Sequence, residues 1–325
     1  MIATSLLGAV GLEMLVFGIL ASFPAAAAVA PSNRSSSPPV EAMRDDSQRS
    51  DATAVPGASH EREPLASAGC GSGPFTAAHG DVQRLTSDGE ERTYILDAPA
   101  SPAGRPLPIV LSFHGFRDDA ANHRRYTGWA PLSEREGFVT LYPQGHDGVR
   151  LLGTIGRGWD MRSQETRDVE FVRALLTRVE RERCIDRRRI FATGMSNGGF
   201  FANLLGCKLA DRLAAIAPVA GAMSLAACAP GQPIPVLLIF GRADDVVPPS
   251  LMRGARDWWA EIDHCGARSD DRECARYASC AADLVSCEGP QAHVWPPDAT
   301  ERIWRFFQTH PRSALPEPPS TTPPR

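Results

Sequence analysis

Gly194-Met195-Ser196-Asn197-Gly198 fits the pattern G-x-S-x-G, and Gly199 follows it. Chance alone gives on the order of one such match per ten chains of this length. The pentapeptide therefore decides little, but its setting decides more. The apolar run Arg189 to Thr193 leads into it, and Phe200, Leu204 and Leu205 follow at helical spacing. A strand, a glycine turn and a helix in that order are what a nucleophile elbow requires. Glycine removes the Cβ atoms that would block so tight a turn, which lifts Ser196 Oγ clear of the backbone. The competing reading is a glycine-rich structural turn.

A serine is a weak nucleophile until a base takes its proton. The eight histidines stand at 60, 79, 114, 123, 146, 264, 293 and 310. His60 falls in a linker and His310 at a domain edge. His114 precedes the glycine of a strand-end loop, a place where histidine shapes backbone. With the base last in chain order, His264 and His293 remain. His264 ends a helix beside Cys265. His293 follows a strand candidate at 282–287 and enters the stiff run Val294-Trp295-Pro296, so His293 is the expected base. Gly241 to Pro248 offers two carboxylates after the strand at 236–240. Asp244, at the turn, is expected to hold the imidazole tautomer. Asp245 is left to cap the following turn.

Two backbone N–H donors would complete the site. Asn197, directly after the nucleophile, is one. The other is expected from the loop after 108–113 and is assigned to Phe116, with Gly115 as the alternative. Trp159 and Trp295 are expected to flank an aromatic acyl group or a sugar, although packing alone would also explain them. No H-E-x-x-H or similar cluster is present, and neither metal nor cofactor is expected.

Those groups need rigid supports. Val82–Ser87 and Arg92–Leu96 flank Asp88-Gly89, a hairpin signal. Apolar runs at 108–113, 138–142, 189–193, 214–219 and 236–240 alternate with helical patterns at 168–179, 200–205, 250–262 and 300–309. Asp168 is expected to cap the first of these helices. Such alternation predicts an α/β fold with a mostly parallel, doubly wound sheet, and it places functional groups on loops at the strand C-termini.

The chain has 325 residues, 43% hydrophobic and 22% charged, with net charge −4. This excludes a collagen-like or wholly disordered chain. With 34 basic and 38 acidic residues, nucleic-acid binding through a large positive field is not expected. Residues 1–30 read as a signal peptide, with cleavage near Ala28 or Ala30. An uncleaved anchor is the alternative. Residues 31–68 read as a disordered Pro- and Ser-rich linker, 69–310 as one domain, and 311–325 as a Pro-rich tail. Eight cysteines fall in the domain, four of them within 265–287 but without close C-x-x-C pairs. Disulfides of an exported protein are therefore expected over zinc, and their pairing stays open. Lys208 is the single lysine.

At this level of detail the sequence resembles the exported esterases that include feruloyl esterases of carbohydrate esterase family one and polyhydroxybutyrate-depolymerase-type esterases. The matching stretches are His114-Gly115, Gly137 to Gly145, Asp168-Val169 with Phe171, Cys184 to Gly199, Ala214 to Gly221, Asp244 to Pro248 and His293 to Pro296. The resemblance implies an α/β-hydrolase fold and a Ser196, Asp244, His293 triad. It also implies export to the outside of the cell or the periplasm, and carboxylic ester hydrolysis. Feruloyl or related esters of plant cell-wall polysaccharide such as xylan are the first expected substrates, and polyhydroxyalkanoate is the second. An inactive binding module on a hydrolase scaffold is the remaining alternative. A monomer without stable membrane association is expected once the signal is removed. The family's glycine-rich run before the histidine is here Gly289-Pro290-Gln291-Ala292.

Overall fold

A computed structural model describes residues 63–102, 104–151, 153–161, 166–223, 230–269 and 274–312. The signal-peptide expectation, most of the linker and nearly all of the tail lie outside these residues. The elements run β1 (Ala78–Ser87), β2 (Glu90–Ala98), β3 (Leu107–Phe113), α1 (Ala120–Thr127), α2 (Trp129–Glu136) and β4 (Val139–Pro143). A hairpin of β5 (His146–Leu151) and β6 (Thr154–Gly158) follows, then α3 (Arg167–Glu182), β7 (Ile185–Met195), α4 (Asn197–Lys208) and β8 (Ala215–Val219). The chain continues with β9 (Val236–Gly241), α5 (Pro249–Ile262), β10 (Cys274–Arg276), β11 (Leu284–Gly289) and α6 (Ala299–Gln308).

Nine strands form one sheet in the order β1-β2-β4-β3-β7-β8-β9-β11-β10. The six from β4 to β11 are parallel, and antiparallel strands close both edges. Every residue of β3, β4, β8 and β9 is buried. Their unbroken apolar runs reflect cover on both faces of a parallel sheet. This is the α/β-hydrolase fold. Aromatic side chains fill the layers, as in the stacked pairs Phe191–Phe307 and Phe138–Trp304.

Several expectations needed adjustment. The β5–β6 hairpin, β10, α1 and α2 were not anticipated, and the 282–287 strand begins at Leu284. Thr166, not Asp168, caps α3, its hydroxyl accepting from Val169 N–H at 3.2 Å. Asp168 instead lies buried and pairs with Arg92 at 2.7 Å. The ordered contacts also extend beyond 69–310. Leu65 N–H donates to Asp186, Ser67 N–H to Ile185, and Arg312 N–H to the Arg188 carbonyl.

Disulfides join Cys70 to Cys184, Cys265 to Cys280 and Cys274 to Cys287, and Cys207 is disulfide-bonded as well. Cys70–Cys184 pins the segment before β1 to the start of β7, and Cys274–Cys287 joins paired residues of β10 and β11. Among the described residues no helix is long and apolar enough to cross a membrane.

Candidate active site

β7 ends at Met195 and α4 begins at Asn197, so Ser196 alone makes the turn between them. Its φ of 55° lies where a non-glycine residue is strained, at a cost on the order of 1–3 kcal/mol. The surroundings hold it there. Ser196 N–H donates to Val219 O, and Phe200 N–H donates back to Ser196 O, both at 2.9 Å. A Cβ on Gly198 would strike the Phe113 and His114 carbonyls, and one on Gly199 would strike the Val219 carbonyl. Gly198 and Gly199 thus let β3, β7, β8 and α4 meet at one point.

Asp244 follows β9 and His293 follows β11, at the same strand-end edge as Ser196. Asp244 Oδ2 lies 2.8 Å from His293 Nδ1. Its other oxygen accepts from the N–H groups of Val246 at 3.0 Å and Val247 at 2.8 Å. Asp244 therefore performs the turn-capping expected of Asp245, which is exposed. The Asp244 side chain is fully buried and that of His293 is 17% exposed. A carboxylate at Nδ1 puts the ring proton of the neutral imidazole there, leaving Nε2 as the basic nitrogen. The two loops are also sewn together by backbone. Arg242 N–H donates to Gly289 O at 2.8 Å and Ala243 N–H to Gln291 O at 3.1 Å. His264, the alternative base, acts electrostatically on the adjacent Asp263 but forms no ion pair with a carboxylate among the described residues.

Gly115 packs against the elbow: a Cβ there would sit 3.6 Å from Ser196 Cβ. Among the described residues, neither Phe116 N–H nor Asn197 N–H meets a backbone acceptor in a turn or loop. The Asn197 side chain, whose role the sequence did not disclose, grips the backbone of Trp159. Its Oδ1 accepts from Trp159 N–H at 2.7 Å, and its Nδ2 donates to Trp159 O at 3.2 Å.

Trp159 is 0% exposed, which corrects the expectation that it flanks a substrate. Its indole N–H donates to His114 O at 2.9 Å, and its ring stacks on Phe201 and meets Phe113 edge-on. A ring enclosed this way supports the site and offers no face to a ligand. Trp295 is partly buried, its N–H donating to Thr300 Oγ1 at 3.0 Å and its ring edge-on to His123. It braces the loop that carries His293.

A family model described as Esterase PHB depolymerase matches residues 92–256, from β2 into α5. This chain belongs to that family. The matched span of this PHB-depolymerase-type chain contains Ser196 and Asp244 and stops short of His293. Over 165 residues the chain is 30% identical to a bifunctional acetylxylan esterase/xylanase of Neocallimastix patriciarum, covering 51% of this chain and 23% of that protein. The chain thus spans less than a quarter of the length of that relative. It is 27% identical over 272 residues to feruloyl esterase D of Neurospora crassa, covering 74% of this chain and 89% of that protein. Among solved structures, an acetyl xylan esterase from Aspergillus awamori matches with a TM-score of 0.57 at 15% identity, covering 70% of this chain and 99% of the other. At that identity the likeness is one of fold.

Proposed function

We propose that this chain is an exported serine carboxylic ester hydrolase. The observation that carries the reading is the 2.8 Å contact between a buried Asp244 and His293 Nδ1, at the sheet edge that also presents the strained Ser196. Ser196 Oγ attacks the ester carbonyl while His293 Nε2 takes its proton and returns it to the leaving alcohol. The N–H groups of Asn197 and Phe116 bind the tetrahedral oxyanion. Water activated by His293 then releases the acid. Asp244 stays ionised and stabilises the imidazolium. Export fits the disulfides, and the signal at 1–30 is its proposed means.

The first substrate class is feruloyl or related esters of plant cell-wall polysaccharide. The feruloyl and acetylxylan esterases among the relatives support it. The second is a polyhydroxyalkanoate polyester, favoured by the family description and by Val246 and Val294, which are 61% and 48% exposed beside Asp244 and His293. Hydrolysis of a short p-nitrophenyl ester by wild type and Ser196→Ala tests the chemistry. Equal rates reject it, and failure of a fluorophosphonate to label the folded protein favours a binding module. Methyl ferulate, acetylated xylan and polyhydroxybutyrate assayed side by side test the substrate. Release from the polyester alone rejects the first class.

A further inference from the structure

His114 is wholly buried and directly precedes the loop that bears Phe116. Both ring nitrogens have partners. Gly145 N–H donates to Nε2 at 2.9 Å, and Nδ1 lies 2.7 Å from the Gly115 carbonyl oxygen. A backbone N–H can only donate, so Nε2 is the acceptor and Nδ1 carries the proton. The ring is therefore neutral and its tautomer is fixed. Burial lowers its proton affinity in the same direction.

The acceptor matters more than the bond itself. Gly115 C=O and Phe116 N–H belong to one peptide unit, which is planar and trans. The two groups point in opposite directions, so whatever fixes the carbonyl fixes the N–H. His114 draws the carbonyl inward beneath the loop. Asp118 N–H reaches the same oxygen at a longer 3.3 Å. The opposite edge of that peptide carries the Phe116 N–H, which among the described residues meets no backbone acceptor in a turn or loop, and a Cβ on the adjoining Gly115 would lie 3.6 Å from Ser196 Cβ. The His114 backbone is itself anchored, because Trp159 Nε1–H donates to the His114 carbonyl and Asn197 holds Trp159. The two proposed oxyanion donors thus share one support, Asn197 to Trp159 to His114 to the Gly115–Phe116 peptide.

We propose that His114 is a positioning residue of the oxyanion hole: its Nδ1–H bond to Gly115 O aims Phe116 N–H at the developing negative charge. The proposal rests on the esterase reading and adds a residue to it. An asparagine amide superposes on the Nδ1 side of a histidine and a glutamine amide on the Nε2 side. His114→Asn therefore keeps a donor for Gly115 O and loses the Gly145 clamp, whereas His114→Gln does the reverse.

The experiment compares kcat and KM for a p-nitrophenyl ester, and Ki for a trifluoromethyl ketone, whose adduct with serine bears an oxyanion. We expect His114→Gln to lower kcat roughly 10- to 100-fold with KM within about threefold, and to raise Ki by the factor lost in kcat/KM. His114→Asn should recover most of that loss. Equal effects of the two variants, or a loss confined to KM, overturn the proposal. Should the Gln variant not fold, nitrogen-15 shifts of the wild-type ring decide: a neutral Nδ1–H form from pH 5 to 8 supports the proposal, and an Nε2–H or doubly protonated form overturns it. A wild type that hydrolyses no ester and takes no fluorophosphonate at Ser196 rejects the esterase reading and this proposal together. An active wild type with indistinguishable variants rejects this proposal alone.

Discussion

The backbone of Gly241 runs so close to the Gln291 carbonyl that a β-carbon on Gly241 would overlap it. Gly241 ends β9, three residues before Asp244, and Gln291 stands two before His293. The contact sets the separation of the two loops whose side chains pair. Gly241→Ala should wedge them apart. Overpacking of this kind costs roughly 1–3 kcal/mol, so Tm should fall by about 2–10 °C. Activity should fall more than tenfold at a temperature where the variant is still folded. Thermal melts followed by circular dichroism, with an ester assay below the transition, check both.

Asp244→Asn separates orientation from folding. An asparagine oxygen still accepts from the Val246 and Val247 N–H groups that Asp244 satisfies. Its amide nevertheless favours the wrong imidazole tautomer. We expect kcat to drop by about 10⁴-fold with Tm nearly unchanged. A drop below tenfold would remove Asp244 from the proposed triad.

Asp263 closes α5 and is buried, with one carboxylate oxygen lacking a protein partner. Burial raises its pKa from 3.8 to about 6. A carboxyl whose folded pKa lies above its unfolded value binds protons more readily in the folded state. Its contribution to stability is therefore full below about pH 4 and is lost as pH rises through 6. Asp263→Asn should raise Tm by a few degrees at pH 8 and leave it almost unchanged at pH 4. Melts at the two pH values read the difference directly.

Arg92 and Asp168 form an ion pair with both side chains buried, 6% and 2% exposed. The Arg92 guanidinium also lies over the Phe171 ring, and Asp168 Oδ2 accepts from Asp160 N–H, next to Trp159. Removing one partner strands a buried charge, at a cost of roughly 3–5 kcal/mol. Arg92→Met and Asp168→Leu should each lower the urea midpoint strongly. The double variant should be less destabilised than either single one. Additive losses would contradict a buried pair.

The parallel core was legible because each central strand is buried on both faces and so reads as one apolar run. The elbow was legible because strand, glycines and helix adjoin in sequence. His293 and Asp244 emerged by chain order, and the structure brings them together. Other features left weaker traces. The β5–β6 hairpin lacks alternating apolar residues, since much of it is glycine and charge packed around Phe116 and Arg117. Trp159 was misread because a tryptophan after glycine in a loop gives no sign that the elbow asparagine will draw its backbone inward. Thr166 and Asp168 are both helix-start residues, and only the distant Arg92 decides which one caps.

α4 joins two features that composition could not connect. Ser196 stands at its start, and Lys208, the single lysine, is its last residue. Twelve helical residues separate those positions by roughly 18 Å. Apart from the amino terminus, the amine chemistry of this protein is thus confined to the end of α4 remote from Ser196, where Lys208 is half-buried and engaged with the protein.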